Sequence, residues 1–201
     1  MGPNPEPMRE RRVSPLAPMR NEMDLASGGA VSLQEVGFRT LVNLRGSPGE
    51  DLAATVEQAF GVRLPAVPNT WSGEADRAAV WLGPDEWLLL APDGEVPALE
   101  ASLRAARPGD PLLSVSDVSH AYAGLVLAGP AARDVLAKGC PLDLHPRRFP
   151  PGACAQTLLA QANILLRLID QRPAFEIWVR NSFARYLCAW LLDAMAEFTG
   201  G

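Results

Sequence analysis

Asp117, Ser119 and His120 set an acid, a hydroxyl and an imidazole within four residues. These are the groups of a hydrolytic triad, in which the imidazole takes the hydroxyl proton and the acid orients the imidazole. Their spacing works against that chemistry. On an extended segment neighbouring side chains point to opposite faces, so His120 faces away from Ser119. Triad members also normally converge from separate segments. Asp117 and Ser119 are better suited to a strand end, where short polar side chains satisfy nearby backbone donors.

Metal and cofactor chemistry have little more to work with. The histidines are His120 and His145, far apart in the chain, and no C-x-x-C or H-E-x-x-H occurs. Cys140 and His145 could share a loop, but one such pair falls short of a zinc ligand set. Cys140, Cys154 and Cys188 are too few and too scattered for a disulfide framework, and read as reduced thiols. No G-x-G-x-x-G follows a strand and no G-x-x-x-x-G-K-[ST] appears, so a self-contained NAD, FAD or ATP site is not expected. Of five tryptophans, Trp81, Trp87 and Trp178 fall in apolar strands and Trp190 in a helical stripe, where core packing is the ordinary role. Trp71 falls in a loop and is the best placed for an exposed contact. No catalytic, cofactor-binding or metal-ligating residue is therefore assigned.

The elements that would position these residues follow from pattern. Residues 1–20 hold Pro3, Pro5, Pro7, Pro15 and Pro18 with Arg9, Arg11, Arg12 and Arg20. That composition predicts a disordered tail. Phe38 to Leu44 reads as a strand broken by Gly46-Ser47-Pro48-Gly49. Glu50 to Phe60 has Leu52, Val56, Ala59 and Phe60 at helical spacing, and Gly61 stops it. Leu64 to Ser72 reads as a loop. The runs at 79–83 and 86–91 flank Gly83-Pro84-Asp85-Glu86 and predict a hairpin on a type I turn. Val96 to Ala106 predicts a helix with proline in its first turn, and Leu112 to Asp117 a strand. Strand, helix, strand, strand, helix, strand is the ferredoxin-like βαββαβ order, placed over 21–117.

A second module spans 118–201. Ala121 to Ala128 reads as a strand, and a helix runs from Pro130 to Lys138. Cys140 to Gly152 is a proline-rich connection. Strands follow at Ala153–Leu159, Ile164–Ile169 and Phe175–Val179. Phe183, Tyr186, Leu187, Trp190, Leu191, Ala194, Met195 and Phe198 make an apolar stripe on a closing amphipathic helix, with Asn181 or Ser182 able to cap it. The fold class is α+β with antiparallel-rich sheets.

The 201 residues carry a net charge of −5, with 48% hydrophobic and 20% charged residues, which is globular composition. The acidic balance argues against a nucleic-acid partner. No 18-residue apolar run exists, so no membrane helix is predicted, and the first residues lack the apolar core of a secretory signal. A cytoplasmic location is expected.

From Ser116 to Asp143 the chain reads SDVSHAYAGLVLAGPAARDVLAKGCPLD. This resembles the D-[LV]-S-H … G-P-x-A … L segment of the folate-binding fold of the glycine-cleavage T-protein. Upstream, WLGPDEWLLLAP resembles the hairpin of a narrower family, the gamma subunit of bacterial heterotetrameric sarcosine oxidase. The order of these motifs over about Asn21 to Phe198 carries the resemblance. It implies a T-protein-like second module after the ferredoxin-like one. It also implies a complex of alpha, beta, gamma and delta subunits that demethylates sarcosine oxidatively to glycine, with hydrogen peroxide and formaldehyde or 5,10-methylenetetrahydrofolate formed. FAD, FMN, NAD, zinc and tetrahydrofolate would belong to the other subunits, with alpha the main partner of this one.

Active T-proteins carry a G-G-x-x-D-D-L run whose acid works near the folate. The corresponding region here reads LLAQANILLRLID, with Ala162 and Asn163 nearest to those positions. Neither can act as a carboxylate acid or base. Asp170 lies past the strand and substitutes poorly. The resemblance thus implies a T-protein-like scaffold without catalysis of its own, poorly soluble alone because obligate interfaces are large and apolar. Two other readings stay open: the equivalent subunit of a complex acting on another N-methyl amino acid such as N-methylglutamate, and a free folate-binding module.

Overall fold

Several strands here are apolar without interruption, such as Trp87-Leu88-Leu89-Leu90-Ala91, and all five of these residues are buried. Such a run arises when both faces of a sheet are covered. In a computed structural model, which describes residues 12–199, that is the architecture. Two antiparallel five-stranded sheets pack face to face, and each carries helices on its outer side.

The elements in chain order are α1 (Arg20–Ala26), β1 (Ser32–Val36), β2 (Arg39–Arg45), α2 (Glu50–Phe60), β3 (Trp71–Gly73), β4 (Ala78–Gly83) and β5 (Glu86–Pro92). There follow α3 (Val96–Ala106), β6 (Ser114–Asp117), β7 (Tyr122–Ala128), α4 (Ala132–Ala137), β8 (Cys154–Leu159), β9 (Ala162–Asp170), β10 (Ala174–Arg180) and α5 (Ala184–Thr199). One sheet has the order β3-β4-β5-β2-β6. Its last four strands, with α2 and α3 as connections, form the split βαββαβ arrangement read from the sequence, and β3 extends the edge. The other sheet has the order β1-β7-β10-β9-β8.

The period of two sorts each strand's side chains between layers. In β5, Trp87, Leu89 and Ala91 pack with Leu52, Val56 and Phe60 of α2 and Leu99 and Leu103 of α3. Leu88 and Leu90 turn the other way and join Leu41, Ala78 and Val80 against Cys154, Leu165 and Trp178 of the second sheet. In β9, Ile164, Leu166 and Leu168 lie beneath the second helical layer with Met23, Leu136, Leu187 and Leu191. Beside the inter-sheet layer a backbone bridge joins Thr70 to Ala153, and the Trp71 N–H donates to the Gly152 carbonyl at 2.9 Å.

The structure corrects several expectations. Part of the predicted disordered tail, 1–20, is structured. Residues 1–11 lie outside the described residues. Ser14 and Leu16 are buried, and a 3-10 turn at Ala17–Met19 leads into α1. Leu16 joins the core beside Met23, so this segment buries enough apolar surface to be ordered. The boundary at 117/118 also divides differently in space. β1 lies in the 21–117 stretch yet pairs antiparallel with β7, from Ser32 opposite Ala128 to Val36 opposite Gly124.

Pro130 does not open its helix. Gly129 to Ala131 form a turn and α4 begins at Ala132. Gly129 has φ +121°, and a Cβ there would stand 2.5 Å from the Ala30 carbonyl oxygen. The stripe on α5 is narrower than read: Ala184, Leu187, Cys188, Leu191, Ala194 and Met195 are buried, whereas Phe183 and Tyr186 are exposed. Asn181 and Ser182 do not cap that helix. They form a 3-10 turn, and the Asn181 side-chain amide donates to the His120 carbonyl at 2.6 Å.

Candidate functional site

Asp117 closes β6, and the chain turns through Ser119 and His120 into β7. Ser119 Oγ lies 2.6 Å from Asp117 Oδ1, and the Ser119 N–H donates to the same oxygen at 2.9 Å. The Leu41 N–H donates to Ser119 Oγ at 2.9 Å. Both polar side chains are therefore engaged in fastening the β6–β7 turn to β2. The hydroxyl proton is directed at Asp117 or the Leu41 carbonyl, and no hydrogen bond joins Ser119 to the His120 ring.

The thiols are buried and unpaired. Cys154 lies between the sheets, where burial pushes its thiol up to about 12, and its Sγ contacts the Thr70 carbonyl oxygen at 3.2 Å. Cys188 lies on the buried face of α5, where burial and the charges of Glu22 and Glu35 raise it to about 11. A thiolate nucleophile needs the opposite shift. Among the described residues no group of three or more His, Cys, Asp or Glu side chains could hold a metal ion.

Among the described residues a cleft of about 750 Å³ opens between the two sheets. Asn43, Arg45, Glu86, Gln156, Asn163 and Arg180 supply its polar lining, with Leu82, Leu88, Leu165 and Trp178 among its apolar residues. Three of these groups hold one another. Asn43 Nδ2 donates to Glu86 Oε1, and Arg45 Nη2 pairs with Glu86 Oε2, each at 2.7 Å. Gln156 Nε2 donates to the Leu82 carbonyl at 2.8 Å. The Arg180 guanidinium stacks 4.5 Å from the Tyr122 ring centre.

Folate chemistry of the T-protein kind needs a carboxylate here. Asn163 sits exposed at the start of β9, opposite Leu158, and Ala162 is buried. Asp170 stands at the far end of the same strand beside Arg172. Glu86 is the one carboxylate among the cleft's lining residues, and Asn43 and Arg45 occupy both its oxygens. The donor set does not fit an acid–base role on a bound folate.

Trp71 is not an exposed loop residue. It lies on β3, half-buried, and its Nε1 donates to the Leu168 carbonyl at 3.1 Å. The Arg167 guanidinium packs 4.7 Å from its ring centre. Arg167 itself is fully buried. It pairs with Glu176 directly across the β9–β10 ladder and donates to the Ala75 carbonyl at 2.6 Å. Trp178 Nε1 donates to the same Glu176 carboxylate at 2.8 Å. Sequence reading missed this pair. Its signal was one opposite charge in each of two apolar runs, ILLRLI and FEIWV, at hairpin separation.

The family model described as "sarcosine oxidase, gamma subunit family" matches residues 45–197. The sarcosine oxidase subunit gamma of Corynebacterium sp. (strain U-96) is 39% identical over 193 residues, covering 96% of this chain and 92% of that one. That of Corynebacterium sp. (strain P-1) is 41% identical over 174 residues, covering 86% and 84%. A chain of the heterotetrameric sarcosine oxidase from Corynebacterium sp. U-96, solved in complex with pyrrole 2-carboxylate, superposes with a TM-score of 0.87, covering 95% of this chain and 98% of that one. The glycine cleavage system aminomethyltransferase T from Bartonella henselae is 17% identical with a TM-score of 0.60, covering 87% of this chain and 48% of that one, which is a likeness of fold. On this evidence the chain belongs to the sarcosine oxidase gamma subunit family.

Proposed function

We propose that this chain is the gamma subunit of a heterotetrameric sarcosine oxidase, and that it serves the complex as a scaffold rather than as a catalyst. The carrying observation is the 39% identity with a TM-score of 0.87 over nearly the whole length of a chain from such a complex. The site geometry supports the second clause. Asp117 and Ser119 fasten a turn, the cleft's carboxylate is held by its neighbours, and Ala162 and Asn163, nearest to the T-protein acids by resemblance, carry no carboxylate. In this reading the complex oxidises sarcosine to glycine in the cytoplasm. FAD, FMN, NAD, zinc and tetrahydrofolate lie on alpha, beta and delta, and this chain packs mainly against alpha.

The test is a pull-down of the tagged full-length chain from its own cells. The eluate should contain three further proteins and show a flavin absorption band that sarcosine bleaches. A band bleached by N-methylglutamate and not by sarcosine would assign a sister complex. A colourless, solitary protein that binds tetrahydrofolate with micromolar affinity, roughly −8 kcal/mol, would replace the scaffold reading with a free folate module.

A further inference from the structure

A second cavity, of about 130 Å³, lies on the other side of Trp178 from the cleft. It is lined by Arg12, Glu35, Arg39, His120, Asn181 and Trp178, among others. Arg12 is rigidly held. Its Nη1 donates to both Asp93 oxygens, at 2.8 and 3.1 Å, and its guanidinium lies 4.0 Å from the Phe38 ring centre. Its remaining edge, Nε and Nη2, is buried and has no hydrogen-bond partner. That edge is the fork that grips a carboxylate with two parallel hydrogen bonds.

Across the same lining, Asn181 Oδ1 is also buried without a partner, because Asn181 spends its amide on the His120 carbonyl. Two residues lining the cavity thus carry, between them, two buried unfilled donors and one buried unfilled acceptor. Buried polar groups are ordinarily satisfied, by protein, water or ligand. The charge balance is consistent with an anion. Arg12 is matched by Asp93 and Glu35 by Arg20, while Arg39 forms no ion pair among the described residues.

We propose that this cavity binds a small monocarboxylate that also carries an O–H or N–H donor. The carboxylate sits on the Nε–Nη2 edge of Arg12, and the donor reaches Asn181 Oδ1. The volume equals that of about four water molecules, so the ligand is of hydroxy- or amino-acetate size. No bond is made or broken. Arg12 and Asn181 are binding residues, and the site lies apart from the cleft.

The test is calorimetry on the full-length chain in a buffer free of other carboxylates, with glycolate and glycine as probes. One of them should bind at one site with a Kd of roughly millimolar or tighter. Acetate, which lacks the donor, and methyl glycolate, which lacks the charge, should each bind about tenfold more weakly. Arg12→Lys keeps the ion pair to Asp93 but loses the fork, and should also weaken binding about tenfold with the melting temperature little changed. Should that variant not fold, Arg39→Gln, which breaks no ion pair among the described residues, should weaken binding several-fold. No saturable heat from either probe would show that water alone fills the cavity, and equal affinity for methyl glycolate would show that no carboxylate is gripped there; either result overturns the proposal. In the assembled complex one site should remain that Arg12→Lys removes. Its loss on assembly would give the cavity to a partner's carboxylate and equally overturn a small-ligand site.

Discussion

Arg167 shows most sharply what a single residue does here. It is a cation with no exposed surface, held by Glu176, the Ala75 carbonyl and the Trp71 ring. A buried pair contributes little net stability against an apolar replacement, but removing one partner leaves a charge stranded. Glu176→Gln should therefore destabilise the chain by about 3–5 kcal/mol in urea melts. The double change Arg167→Met with Glu176→Leu should recover most of that loss. If the single variant costs under about 1 kcal/mol, the pair is not buried as drawn. The thiols give a second prediction at this scale. Cys154 and Cys188 titrate near 12 and 11 against an ordinary value of 9.0. The folded state holds these protons more tightly than the unfolded chain, so the stabilisation is complete below about pH 9 and is lost as pH rises toward 12. The melting temperature of Cys154→Ala/Cys188→Ala should fall less steeply above pH 9 than that of the parent chain. A thiol reagent at pH 8 should likewise label these two cysteines only after denaturation.

Elements were legible in proportion to the length and regularity of their patterns. α2 and α3 match their predicted ranges because apolar residues recur at helical spacing and proline or glycine marks their ends. The hairpin β4–β5 was readable because two apolar runs flank Pro84-Asp85. What was lost is short or peripheral. β3 has three residues, and α1 buries one apolar side chain, Met23. β1, SLQEV, is an edge strand with Leu33 its one fully buried side chain, and its pairing partner β7 lies some ninety residues onward. Local pattern cannot announce a partner at that distance. One motif residue does carry the information: Gly129 is needed because the chain leading into β1 passes over it. Its φ of +121° disfavours any side chain, and the Ala30 carbonyl occupies the Cβ position. Gly129→Ala should cost about 1–3 kcal/mol or more, by strain and by crowding. A melting temperature unchanged from the parent would mean that β1 does not dock as described. Of the candidate site, the turn role of Asp117 and Ser119 was legible, because short polar side chains beside a strand end have backbone donors within reach. The Arg12 fork was not legible, because its partners Asp93 and Phe38 and its neighbour Asn181 come together only after both sheets have formed.

At the scale of the whole molecule, two sheets read as two modules share one core. Leu41, Ala78, Val80, Leu88 and Leu90 of one sheet lie against Cys154, Leu165 and Trp178 of the other. Cutting the chain after Asp117 would expose that layer on both halves. The 118–201 half would also lose β1 and α1, together with the Leu16, Met23, Val31 and Leu33 side chains that complete its outer core. Each exposed Leu or Val forfeits about 1.5–3 kcal/mol of burial, while a whole domain has only about 5–15 kcal/mol to lose. Neither fragment 1–117 nor fragment 118–201 should therefore fold alone, and the intact chain should unfold in one transition that fluorescence and circular dichroism report together. Co-expressed fragments should restore a folded complex, because together they supply every apolar layer that the intact chain buries. A dispersed amide spectrum from either fragment alone would show two independent domains joined in series. The distinction bears on function: a chain that folds as one unit loses its outer surfaces together when the inter-sheet layer is disrupted. Substitutions in the inter-sheet layer should then lower sarcosine turnover of the assembled oxidase through loss of complex, leaving the turnover of each complex that still forms unchanged.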